Sequence, residues 1–151
     1  MKTHKMKTDS SIKEIFRFEK RTKMKRILIG TNISAGFPSP AQDYIEGSLD
    51  LNEFLIHHPA ATFFVRVDGV SMINAGIHPD DILIVDRALE PSNNKIIIAV
   101  LDGELTVKRL KIENNLWSLL PENPQFPAIE ITEDMDFHVW GVVTYAIHKM
   151  K

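Results

Sequence analysis

Residues 95–111 read Lys95-Ile96-Ile97-Ile98-Ala99-Val100-Leu101-Asp102-Gly103-Glu104-Leu105-Thr106-Val107-Lys108-Arg109-Leu110-Lys111. Two runs rich in β-branched residues flank an Asp-Gly pair. That pair tolerates the positive φ angles of a tight hairpin turn, so the stretch predicts two antiparallel strands. Further strands are predicted over residues 62–67, 81–86, 116–120, 128–132 and 137–148, with turn residues between them. Asp50 as N-cap and Glu53 three residues on predict a short helix to about His58. Seven short strands and little helix imply a mainly β fold with an antiparallel body.

The flanks differ from this body. Gly36-Phe37-Pro38-Ser39-Pro40 places two prolines and a glycine in five residues, which excludes helix and marks a boundary. The expected organisation is an N-terminal arm over 1–35 and a β domain over 36–151. Within the arm, Ser11-Ile12-Lys13-Glu14 has the form of a capping box and predicts a short helix. Residues 1–26 carry ten Lys/Arg and three acids, a surplus of seven positive charges. The whole chain has net charge −2, so the remainder carries −9. A basic arm on an acidic body fits contact with a nucleic acid or an acidic protein, and equally a solvated tail folded on its own body.

Composition excludes several chemistries. The chain of 151 residues contains no cysteine, hence no disulfide framework, thiolate metal site or cysteine nucleophile. That absence fits a reducing compartment. The longest apolar run, Ile96 to Leu101, is far short of the roughly 20 residues that span a bilayer. There is no P-loop and no dinucleotide fingerprint, and no cofactor is expected. His57, His58, His78, His138 and His148 show no metal-binding spacing such as HExxH, so no metal site is expected.

Two segments offer catalytic side chains. In Gly69-Val70-Ser71-Met72-Ile73-Asn74-Ala75-Gly76, glycines bracket a turn between two strands and Ser71 opens it. Backbone N–H groups at the start of such a turn suit an oxyanion. Taken alone, a helix-capping role for Ser71 outweighs a nucleophilic one. In the second hairpin strand, parity puts Lys108 on one face with Thr106 and Leu110, and Arg109 with Lys111 on the other. A free lysine amine titrates near about 10.4 and is no base at neutral pH, but burial disfavours its charge. A neutral amine can take a proton from a serine hydroxyl. Read alone, a snorkelling lysine is the stronger reading.

Together these segments resemble the LexA/UmuD family of self-cleaving serine peptidases. The resemblance rests on Gly69-x-Ser71-Met72, Asp81-Ile82-Leu83-Ile84-Val85-Asp86 and Glu104-Leu105-Thr106-Val107-Lys108-Arg109-Leu110. Leu119-Leu120-Pro121-Glu122-Asn123 and Trp140-Gly141-Val142-Val143 continue it, and Ala35-Gly36-Phe37-Pro38 is similar to the cleavage segment of the UmuD branch. The likeness covers about residues 33–148. It implies a LexA/signal-peptidase-like β body with short helices and an extended arm. It also implies Ser71 as nucleophile, Lys108 as general base, Ala35–Gly36 as the scissile bond, and Val70 and Ser71 as backbone oxyanion donors.

The resemblance carries further expectations. UmuD-like proteins are cytoplasmic homodimers, and a RecA filament on single-stranded DNA stimulates their cleavage. The trimmed form joins a Y-family, UmuC-like polymerase subunit in error-prone translesion synthesis during the SOS response. No direct sequence-specific DNA binding and no membrane contact are expected. The arm is longer and more basic than is usual in that branch, and Met1, Met6 and Met24 are each candidate starts. A LexA-like repressor is the first alternative, although an arm of 35 residues is short for a DNA-binding domain with its own core. A binding module with an inert dyad is the second, and requires Lys108 to be charged and exposed.

Overall fold

A computed structural model describes residues 11–19, 25–29 and 45–151, with side chains described for 11–19 and 48–151. It is mostly β. The chain divides into two compact units, residues 19–57 and the remainder.

In the smaller unit, β2 (Lys25–Ile29) pairs antiparallel with β3 (Ile45–Asp50). The connection between them, residues 30–44, contains Ala35 and Gly36, which lie outside the described residues. Helix α1 (Leu51–Leu55) follows β3 directly. Asp50 caps it as the sequence predicts, its side chain accepting from the Asn52 N–H at 2.9 Å.

The larger unit is one eight-stranded sheet. Its strands are β1 (Ile12–Arg17), β4 (Thr62–Val67), β5 (Ile82–Asp86), β6 (Ile96–Leu101), β7 (Glu104–Glu113), β8 (Leu116–Leu120), β9 (Ile129–Glu130) and β10 (Phe137–Ile147). Their spatial order is β1-β4-β5-β10-β6-β7-β8-β9, and every pairing is antiparallel. All seven strands expected in the body are present, with boundaries shifted by a few residues.

Turn chemistry sets the register. Leu101 pairs with Glu104 across Asp102 and Gly103, whose φ angles are 48° and 83°. Two consecutive positive φ values define the hairpin turn whose twist matches the strands. Asn114 and Asn115 repeat the device between β7 and β8, with φ of 52° and 61°. Strand β6 is apolar without alternation because both its faces are covered. Ile98 and Val100 enter one core cluster with Val65, Leu83, Val85, Leu105 and Val107. Ile97 and Ala99 enter a second with Leu110, Leu119 and Val142.

One expectation is overturned. Residues around Ser11–Phe16 form no helix; Ile12–Arg17 is strand β1, paired along β4 from Ile12 opposite Val67 to Arg17 opposite Phe63. The capping-box pattern lost to burial: Ile12 and Ile15 are 3% and 2% exposed and belong to the main core cluster. An edge of a sheet with open backbone groups favours an added strand over an isolated helical turn, which is marginal on its own. Substituting Ile15→Ala therefore costs what a core truncation costs, about 2–5 kcal/mol. Urea denaturation of the full chain measures this directly, whereas a solvated tail would give almost no change.

Candidate active site

Strands β4 and β5 pair from Thr62 opposite Asp86 to Arg66 opposite Ile82, and the connection between them carries Ser71. Its start and finish are stitched together. The Val67 N–H donates to the Asp81 carbonyl and the Asp80 N–H to the Val67 carbonyl, both at 3.0 Å. Gly69 and Gly76 take φ of 73° and 82°, the left-handed conformation that glycine adopts without strain. A 3₁₀ turn follows over Ile73–Ala75, with Met72 in the N-cap position and no side-chain cap bond. The capping role that competed for Ser71 is thus not realised. Ser71 is buried, at 7% exposure.

Lys108 is on β7 opposite Ile97 and is buried to the same extent, 7% exposed. Its Nζ donates to Thr106 Oγ1 at 2.8 Å and to the Val107 carbonyl at 3.1 Å. The first bond follows from strand parity, since residues two apart share a face. Both of these acceptors are neutral oxygens, so neither offsets a buried positive charge as a carboxylate would. The inert-module alternative required an exposed Lys108, and the buried side chain removes that condition.

Glu122 links the two segments. Its N–H donates to the Ser71 carbonyl at 2.8 Å, and its carbonyl accepts from the Asn74 N–H at 2.9 Å. Its carboxylate is hydrogen-bonded and ion-paired to the Arg109 guanidinium, one residue beyond Lys108. Asn123 adds a bond from its side-chain amide to the Val70 carbonyl at 3.0 Å. The Ser71 turn is therefore tied to the strand that carries Lys108 through residues just after β8. Val70 and Ser71 use their carbonyls in these ties, which orients the peptide groups of the turn.

Ser11 also reaches this region. Its Oγ accepts from the Val107 N–H at 3.2 Å and lies 3.4 Å from Thr106 Oγ1, while its carbonyl accepts from the Asp68 N–H at 2.9 Å. Ser11, Ser71, Met72 and Val107 line one small recess. Sequence reasoning missed Ser11, Glu122 and Asn123 as parts of the site. Strand parity had already put Thr106 on the face of Lys108, and the bond between them realises that pattern. Nothing in the sequence pairs Ser11 with residues 95 positions away.

A family model described as Peptidase S24-like matches residues 27–144. Protein SamA of Salmonella typhimurium is 50% identical over 117 residues, which cover 78% of this chain and 81% of that protein. Protein MucA of Escherichia coli is 46% identical over 116 residues, covering 76% and 79%. The LexA repressor of Ectopseudomonas mendocina is 39% identical over 118 residues, covering 78% of this chain and 57% of the repressor.

Thr106→Val keeps the shape of the side chain but removes the acceptor that holds Lys108 Nζ. Leaving a buried donor short of an acceptor costs about 1–3 kcal/mol. Chemical denaturation of the variant is expected to show a loss in that range, and a neutral result would mean that the bond is not structural.

Proposed function

The chain belongs to the peptidase S24-like family, and we propose that it is a self-cleaving serine peptidase of the UmuD type that cuts its own Ala35–Gly36 bond. The observation that carries this reading is the burial of Ser71 and Lys108 on two segments clamped together by Glu122.

In the proposed reaction, neutral Lys108 is the general base. A neutral amine has two N–H groups and one lone pair. Thr106 Oγ1 and the Val107 carbonyl accept N–H groups from the amine, and in this reaction its lone pair takes the Ser71 proton. Ser71 Oγ then attacks the Ala35 carbonyl carbon. The resulting oxyanion is stabilised by backbone N–H groups of Val70 and Ser71. Collapse of the tetrahedral intermediate breaks the C–N bond, and the Lys108 ammonium returns its proton to the Gly36 amine. Water, activated by the same lysine, releases the Ala35 carboxylate from Ser71 and restores the hydroxyl. Small residues at the bond admit the backbone close to the nucleophile.

Cleavage there separates residues 1–35, with β1 among them, from the body 36–151. Removal of β1 uncovers the β4 edge and the seats of Ile12 and Ile15, which are surfaces suited to a new partner strand. The reading places the protein in the cytoplasm as a homodimer. A RecA filament on single-stranded DNA accelerates its cleavage, and the product serves a Y-family polymerase subunit in SOS mutagenesis.

Purified protein incubated at alkaline pH is expected to yield a fragment beginning at Gly36, since a larger fraction of the lysine is neutral there. N-terminal sequencing and mass spectrometry identify the product. Ser71→Ala or Lys108→Ala should each lower its rate of formation by at least about a thousandfold; unchanged cleavage in both variants would sink the dyad. A separate assay at neutral pH adds RecA, single-stranded DNA and a nucleoside triphosphate. Acceleration supports the UmuD type, and its absence leaves a peptidase without that regulation.

A further inference from the structure

Away from the Ser71 recess, three side chains with metal-binding atoms converge at the join between β5 and β10. We propose that His78, Asp81 and His148 form a binding site for a divalent transition-metal ion of the zinc class. One donor atom from each lies within 4.8 Å of the others.

The backbone builds this cluster. Ile147 pairs with Ile82 in the antiparallel β10–β5 ladder. Continuing that register by one step puts His148 beside Asp81. His78 is brought back by the turn before β5, where its N–H donates to Asp81 Oδ2 at 2.8 Å and its carbonyl accepts from the Asp81 N–H at 3.1 Å. The two imidazole rings are 4.4 Å apart between centroids, tilted by 34°. Asp81 is buried, and its Oδ1 lies 2.6 Å from His148 Nδ1. His78 Nδ1 is 3.7 Å from Oδ2, beyond hydrogen-bond range.

One atom in the cluster lacks a hydrogen bond, although it stands at ion-pair distance from Asp81. His78 Nδ1 is buried and has no hydrogen-bond partner among the described residues. An orphaned buried nitrogen costs free energy unless something satisfies it. A cation held between the rings would accept its lone pair while also neutralising the buried carboxylate. Donors bound at about 2.0–2.1 Å to one tetrahedral ion lie about 3.3–3.4 Å apart. His78 Nδ1 faces Asp81 Oδ2 at 3.7 Å and His148 Nδ1 faces Oδ1 at 2.6 Å, so the ion would sit between the rings against both oxygens of the carboxylate, with the His148 ring moved outward by less than about 1 Å. Two imidazoles and one carboxylate select zinc, cobalt or nickel over calcium or magnesium. The side chains of His78 and His148 are 41% and 38% exposed, so a fourth position faces solvent. The ion would join the end of β10 to the turn that follows Ser71, whose Ile77 lines the Ser71 recess.

The test uses the full chain, stripped with a chelator and titrated with Zn2+ by calorimetry and with Co2+ by visible absorption. One saturable ion per chain, a raised unfolding temperature and a cobalt band of imidazole–carboxylate type are expected. His78→Ala and His148→Ala should each weaken binding by at least about tenfold. Melting curves without metal check that both variants fold, His148→Ala above all because it removes a partner of the buried Asp81 carboxylate. Absence of saturable binding in the wild type, or equal binding in the variants, would overturn the site.

Discussion

Asp102 and Gly103 both take positive φ, and through them the hairpin of β6 and β7 has one register. The rest of the molecule depends on that register. A slip of one residue would move Lys108 to the opposite face and put Arg109 in its place. The same slip would turn Val107 and Leu105 out of the main core cluster and put polar or charged neighbours in their place. Burial of apolar groups on both faces of β6 makes such a slip expensive, because each large side chain loses about 1.5–3 kcal/mol on exposure. A turn of two residues thus decides where a buried amine stands.

A second constraint holds the Ser71 turn. Buried polar groups are tolerated only when partnered. Thr106 and the Val107 carbonyl supply partners for Lys108, and Glu122 holds Ser71, Asn74 and Arg109 at once. These ties restrict a connection that would otherwise be the least ordered part of the β4–β5 hairpin. Pre-set geometry of this kind is what acyl-transfer chemistry needs, because donors already in place are not reorganised during reaction. Strand β1 ends at the same place, with Ser11 against Thr106 and Val107. Strand β1 and the residue before it therefore help to fill the recess that Ser71 lines.

Much of the body was legible because its signals are local. Runs of β-branched residues, Asp-Gly and the Asp50 cap each act over a few residues, and each reappears in the structure. Ser71 and Lys108 were legible as candidates, since a serine after a glycine turn and a lysine facing a hydroxyl are local patterns too. Strand β1 was misread because its capping-box pattern is also local, while the burial that overrules it comes from β4, some fifty residues on. The histidines were dismissed on spacing alone. His78 and His148 are 70 residues apart in the chain and meet only through the β5–β10 register.

The sequence by itself determined the β character, the turns and which side chains are candidates for the site. Those depend on backbone preference, on residue type, and on which groups can carry a proton or an electron pair. Tertiary structure decided what each side chain meets. It made Ile12–Arg17 an edge strand, excluded Ser71 from a cap, and drew Glu122, Asn123 and Ser11 around the site. Those outcomes follow from the pairing of distant strands, in which the energy of burying apolar surface and satisfying polar groups outweighs the short-range preferences of the segments involved.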